Sequence, residues 1–223
     1  MSAVPEHVAR LAGIMSPYQR PWALCGGWAV DAWLGRESRP HEDIDIIVFQ
    51  DDHQALFEHL AGWAMVAHHP GGADDTDERW DGRRLDLPAH IHVPAVYAYD
   101  NGRIYSEDGF SIDVQFNACD ADDWVISDKP RLAVPLTDAV RPSPWGLPTV
   151  IPEVLLFFKA TAYKDSRHYL RRHDHVDFER LLPVLTPAQR SWLRDAISLI
   201  DADHPWAGVL AWTDQLSAAP INP

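Results

Sequence analysis

Cys25-Gly26-Gly27-Trp28, followed one short helix later by His41-Glu42-Asp43-Ile44-Asp45-Ile46, is the stretch that decides how this chain folds. On a strand, residues i and i+2 point to the same face. Asp43 and Asp45 therefore project together, while Ile44 and Ile46 turn into the core. Two carboxylates held side by side repel each other, and a divalent cation between them relieves the repulsion. The Gly-Gly turn brings backbone N–H groups up to a phosphate, because glycine has no Cβ to block the approach. A phosphate cradle beside Mg²⁺-binding carboxylates is the equipment of phosphoryl or nucleotidyl transfer.

Outward from this block, Pro21 to Cys25 reads as a short strand and Trp28 to Leu34 as a helix closed by Gly35. Asp43 to Phe49 reads as a central strand. Asp51 to Trp63 reads as a helix capped by Asp51 or Asp52, with Leu56, Phe57, Leu60 and Trp63 on its apolar stripe. Met65 to His68 is a further strand. His90 to Tyr99 and Phe110 to Phe116 make the middle of the chain β-rich, and Asp100-Asn101-Gly102 signals a hairpin. In the second of these strands Ile112, Val114 and Phe116 share one face, and Ser111, Asp113 and Gln115 the other. The proline-rich span from Pro130 to Pro152 reads as a surface linker. Helices follow at Pro152 onward, Val176 to Leu185, Pro187 to Ile200 and Trp206 to Leu216. The layout is an α/β domain over residues 1–145 and a helical domain over 146–223.

A third carboxylate completes a metal site. Asp113 is the first candidate, because an Asp inside a strand between apolar neighbours is unfavourable unless something binds it. Asp86 competes, although Pro88 follows it closely. Asp31 is expected to orient Arg39 or His41.

Composition sets bounds. Of the 223 residues 46% are hydrophobic, enough for a packed core. No apolar run is long enough to span a bilayer. The N-terminal pattern (Val8, Leu11, Ile14, Met15) reads as an amphipathic helix and not as a signal peptide. Two cysteines, Cys25 and Cys119, make no disulfide framework, so a cytoplasmic location is expected. The net charge of −14 disfavours nucleic acid as a partner. It suits solubility and a cationic small substrate, and Asp74, Asp75, Asp77 and Glu78 form an acidic loop of the matching sign. Of the ten tryptophans, Trp22, Trp33, Trp63 and Trp192 read as core, and Trp80, Trp124 or Trp145 as candidates to line a cleft. Arg171-Arg172 near Asp174, Asp177 and Glu179 reads as a solvated ion-pair face. His90 and His92 have strand spacing, and His173 and His175 flank Asp174. Neither pair has a recognisable third ligand in sequence, so zinc is not expected.

Gly26-Gly27-Trp28-Ala29-Val30-Asp31, Leu34-Gly35-Arg36 and His41-Glu42-Asp43-Ile44-Asp45 resemble the antibiotic nucleotidyltransferases of the polymerase-β-type superfamily. They are most similar to the aminoglycoside 2″-O-adenylyltransferases, with the lincosamide nucleotidyltransferases next. The likeness extends more loosely to Ser111-Ile112-Asp113-Val114 and to the tail from Glu153 to Lys164. It implies an α+β fold, a mixed sheet with flanking helices, followed by a helical domain. It also implies transfer of NMP, with AMP favoured, from a nucleoside triphosphate (ATP favoured) to a hydroxyl of a small, aminoglycoside-like molecule. Gly26 and Gly27 would hold the β- and γ-phosphates, and Asp43 and Asp45 two Mg²⁺ ions. Asp113 would be a metal ligand or the base. Lys159, and with it Lys164, would neutralise the triphosphate. Two other readings are a nucleotidyltransferase acting on a protein or tRNA, which the acidic charge disfavours for tRNA, and a catalytically inactive nucleotide-binding protein.

Overall fold

The computed structural model describes residues 3–68, 78–94, 97–100, 103–106, 109–161 and 170–218. In chain order it forms α1 (Glu6–Met15), β1 (Trp22–Leu24), α2 (Gly26–Leu34), β2 (Ile44–Phe49), α3 (His53–His59), β3 (Val66–His68), β4 (Glu78–Arg79) and β5 (Ala89–Pro94). Next come β6 (Tyr97–Asp100), β7 (Arg103–Ser106), β8 (Ser111–Asp120), β9 (Asp123–Asp128), β10 (Arg131–Pro135), α4 (Leu136–Ala139), β11 (Val140–Pro142) and β12 (Pro148–Val150). The remainder is helical: α5 (Pro152–Thr161), α6 (Arg172–Leu181), α7 (Pro187–Ile200) and α8 (Pro205–Ala218). The chain divides into two compact units, one reaching to Ile126 and including Ala133–Val150, the other made of Ser127–Leu132 and the chain from Ile151 onward.

The first unit is built on a mixed sheet whose strands lie in the order β11-β12-β1-β2-β8-β5-β3-β4. β2 is antiparallel to β1 and parallel to β8, and β8 is antiparallel to β5. Alternation explains its core. Ile44, Ile46 and Val48 of β2 and Ile112, Val114 and Phe116 of β8 are all buried. Each contributes about 1.5–3 kcal/mol of apolar burial, which holds the opposite, polar face in register. α1 adds Val8, Leu11 and Met15 to the core.

α2 begins earlier than the pattern predicts, at Gly26 and not at Trp28. The Cys25 N–H donates to the Asp45 carbonyl (2.9 Å), which carries the sheet ladder up to Cys25, so the chain turns into the helix at the first glycine. Gly35 closes it in the left-handed conformation (φ +66°), as expected. The predicted helix from Asp51 to Trp63 is shorter: a 3₁₀ turn over Gln50–Asp52 leads into α3, and neither acid caps by its side chain. Asp52 instead faces Arg20 (3.5 Å), and Gly62 at φ +93° lies beyond the helix end.

The span from Pro130 to Pro152 is not a surface linker. It contains β10, α4, β11 and β12, and Thr149 on β12 is fully buried where it pairs with Leu24 of β1. Its prolines mark element ends, where a missing N–H costs little: Pro135 precedes α4, and Pro142 and Pro148 face each other at the ends of β11 and β12. The strand predicted over His90 to Tyr99 is two, β5 in the main sheet and β6 paired with β7 in a small one. Asp100 pairs with Arg103, as a hairpin at this place requires, while Asn101 and Gly102 lie outside the described residues.

In the second unit α7 spans the predicted residues and opens with a capping box between Thr186 and Gln189. α6 starts earlier than predicted, at Arg172, and ends at Leu181. Its core draws on Leu155, Phe157, Phe178, Leu193, Trp206 and Leu210, all buried. No described helix is long and apolar enough to cross a membrane.

Candidate functional site

The parallel pairing of β2 with β8 sets Asp45 opposite Asp113, and the antiparallel pairing of β8 with β5 sets His92 opposite Asp113 and His90 opposite Gln115. Register partners share a face, so one polar row crosses three strands. Asp43 immediately precedes β2. One ligand atom from each of Asp43, Asp45 and Asp113 lies within 4.8 Å of the others. Oxygen donors at that separation fit a hard divalent cation such as Mg²⁺. Asp113 is only 8% exposed, a costly place for a carboxylate without a cation or hydrogen bonds. Asp45 Oδ1 accepts from Gln115 Nε2 at 3.3 Å.

Gly26 is fixed by its neighbours as well as by its backbone. Its φ is +63°, and a Cβ built on it would fall on the Asp45 side chain, 2.8 Å from that residue's Cβ. A Cβ on Gly27 would collide with the His41 ring and lie 2.6 Å from Arg39 Nη2. The two glycines thus let the strand that carries Asp45 and the Arg39–His41 loop pack directly on the first turn of α2. That first turn has N–H groups with no partner inside the helix, and its positive end favours an anion.

Asp31 on α2 is fully buried and organises the loop that delivers Asp43. It sits 2.7 Å from His41 Nε2, and its carboxylate accepts from the Ser38 N–H (3.0 Å) and the Ser38 hydroxyl. Burial alone would raise its pKa. The hydrogen bonds from His41 and Ser38 outweigh that and hold it below the ordinary carboxylate value. The His41 ring packs on Trp28, 4.4 Å between centroids. His41 is one of the two partners expected for Asp31.

Asp86 is exposed, and among the described residues neither cluster of possible metal ligands includes it. Lys159 is 8% exposed inside the second unit, with Nζ 3.0 Å from Asp174 Oδ1 and 2.9 Å from Asp177 Oδ2. Its charge is already matched there by two buried carboxylates. Asp174 is held below its ordinary pKa: burial opposes this, but the Arg171 hydrogen bond and the Lys159 charge prevail. The predicted solvated face is buried only in part: Asp174 and Asp177 are 1% and 0% exposed, whereas Arg171 is half-buried and Arg172 and Glu179 are exposed. Lys164 and the acidic residues Asp74, Asp75 and Asp77 lie outside the described residues. The tryptophan assignment is inverted. Trp80, Trp124 and Trp145 are buried, whereas Trp22, Trp33, Trp63 and Trp192 are only half-buried. The Nε1 groups of Trp80 and Trp124 find acceptors in the Arg83 carbonyl and Asn117, which lets such large rings sit in the core. Strand alternation already placed Gln115 on the face of Asp113, but it did not bring the His90–His92 pair beside it. Their i, i+2 spacing was the available signal, but only the strand order brings them beside it.

Comparison with known proteins adds three findings. Residues 8–70 match the model of a family described as aminoglycoside-2″-adenylyltransferase, a segment that holds Gly26, Gly27, Asp43 and Asp45. No curated protein matches the chain. Among solved structures, the lincomycin-bound lincosamide antibiotic adenylyltransferase LnuA is 17% identical and covers 83% of this chain and 100% of its own, with a TM-score of 0.53. ANT(2″)-Ia in complex with adenylyl-2″-tobramycin is 13% identical over 95% of this chain and 97% of its own, with a TM-score of 0.41. The likeness to LnuA assigns the fold, an α+β arrangement with a mixed sheet and flanking helices that this chain shares with that structure.

Proposed function

We propose that this protein is a Mg²⁺-dependent nucleotidyltransferase that moves AMP from ATP to a hydroxyl of a small cationic antibiotic of the aminoglycoside type. The observation that carries the reading is the meeting of Asp43, Asp45 and Asp113 on one sheet face, directly beside the Gly26–Gly27 turn. The match of residues 8–70 to the aminoglycoside-2″-adenylyltransferase family supports the acceptor class.

In this reading the N–H groups of Gly26 and Gly27 bind the β- and γ-phosphates at the positive end of α2. Asp43, Asp45 and Asp113 hold the metal, two ions in the full site. Bound there, Mg²⁺ supplies charge neutralisation at the triphosphate and lowers the pKa of the acceptor hydroxyl. The hydroxyl oxygen attacks the α-phosphorus, the bond from the α-phosphorus to the bridging oxygen breaks, and pyrophosphate leaves. Asp113, nearly buried, takes the hydroxyl proton on its carboxylate. Asp31 keeps His41 and the loop of Asp43 in position. Lys159 has no part in this scheme, because its charge is already matched by Asp174 and Asp177.

The test is pyrophosphate release from ATP and Mg²⁺ across a panel of aminoglycosides and lincosamides. Release that depends on an aminoglycoside is the expected result. Activity surviving Asp43→Asn and Asp45→Asn together overturns the mechanism, and release only with a lincosamide overturns the acceptor.

A further inference from the structure

Asp113 belongs to two clusters at once. Besides the Asp43–Asp45 set, it forms a second with His90 and His92, whose nearest ligand atoms and its own again lie within 4.8 Å of one another. The sheet builds this cluster. His90 and His92 stand two residues apart on β5, so their rings leave the same face, 5.1 Å between centroids and edge to face. The antiparallel register then places Asp113 across from His92. The third ligand that the sequence spacing lacks comes from the next strand.

The donor chemistry of the two clusters differs. Three carboxylates suit Mg²⁺, which prefers oxygen. Two imidazole nitrogens and one carboxylate suit zinc and its neighbours in the first transition row, and three protein ligands leave room for water. Both histidines are half-buried, so an ion has access while bulk water is limited.

We propose that His90, His92 and Asp113 form a separate site for a zinc-type divalent ion, and that filling it withdraws Asp113 from the Asp43–Asp45 site. Zinc and Mg²⁺ then compete through one shared carboxylate, although their other ligands are different residues. Zinc binding is independent of the proposed nucleotidyl transfer. Its inhibitory effect rests on that reading.

The experiment is a Co²⁺ titration of metal-stripped, tag-free protein followed by visible absorption, with Zn²⁺ used to displace the Co²⁺. The wild type is expected to give the intense spectrum of a low-coordinate, nitrogen-ligated ion. His92→Gln should weaken binding by more than the roughly 10–100-fold that loss of an outer-shell partner costs, and His90→Gln with His92→Gln should abolish the spectrum. Asp43→Asn with Asp45→Asn should leave it in place. A spectrum unchanged by the two histidine substitutions, or lost in the Asp43/Asp45 variant, overturns the site. Should the double histidine variant fail to fold, Zn²⁺ added to the wild type must shift the imidazole proton resonances of His90 and His92, and resonances that stay put overturn the site equally. In the pyrophosphate assay, Zn²⁺ should inhibit the wild type and inhibit His92→Gln far less. Full rates with the Zn²⁺ site filled overturn the sharing of Asp113. A protein that releases no pyrophosphate with any acceptor defeats the transferase reading and leaves the Co²⁺ result standing.

Discussion

Asp45 on β2 and Asp113 on β8 are register partners across a parallel strand pair, although 68 residues separate them in sequence. Their carboxylates face the same side and repel when no cation is present. Asp113→Asn should therefore lower nucleotidyl transfer by at least about 100-fold without lowering the melting temperature of metal-free protein. In the wild type, Mg²⁺ and ATP at 100 times their Kd should stabilise by about 2.7 kcal/mol. The variant should lose most of that gain. Thermal unfolding with and without EDTA measures both effects.

Gly26 and Gly146 separate strain from collision. Both have positive φ, +63° and +82°, but a Cβ on Gly26 strikes the Asp45 side chain while a Cβ on Gly146 meets nothing within 4 Å. Gly146→Ala should cost about 1–2 kcal/mol, from the backbone alone. Gly26→Ala should cost more and also displace Asp45, so transferase activity should fall only in this variant. Urea unfolding beside initial rates provides the comparison.

The Asp31–His41 contact should be visible in the pH dependence of stability. Asp31 has a folded pKa below its ordinary 3.8. Its contribution is present above that ordinary value and is lost as the pH falls through the lower folded value. Asp31→Asn should cost about 1–3 kcal/mol at neutral pH, since it disturbs buried hydrogen bonds. It should also flatten the acid limb of the stability curve. Denaturation midpoints measured from neutral pH down to strong acid test this.

Lys159 provides a test between two roles. As the partner of Asp174 and Asp177, its replacement by Met removes the buried cation the two carboxylates share, leaving Arg171 at Asp174 and Arg180 4.0 Å from Asp177, a loss of about 3 kcal/mol. Adding Asp174→Asn and Asp177→Asn should recover much of it. A lysine serving the triphosphate would behave differently: Lys159→Met would raise the KM for ATP and leave stability unchanged. Unfolding curves and ATP kinetics on the same variants distinguish the two.

The candidate site was legible in sequence where its residues are close together. Gly26, Gly27, Asp43 and Asp45 lie within 20 residues, and strand alternation alone puts the two acids on one face. Asp113 was legible because an acid between Ile112 and Val114 is anomalous on a strand. His90 and His92 carried the same alternation, but their relation to Asp113 depends on strand order, which local pattern does not contain. The tryptophans were misjudged for a related reason, and the carboxylate partners of Lys159 were equally out of sight. Whether a charge or an indole faces water depends on acceptors such as Asp174 and Asn117 that arrive from elsewhere in the chain. The proline-rich span misled because composition does not distinguish prolines that interrupt a strand from prolines that end one.

The polar row across β2, β8 and β5 has a consequence for how this protein can vary. Each of its members is set by counting residues along a strand. A slip of one residue in the pairing of β8 with β2 would turn Asp113 into the core and present Ile112 or Val114 in its place. A related chain can therefore exchange many side chains on this sheet and keep the row, but it cannot slip that pairing by one residue and do so.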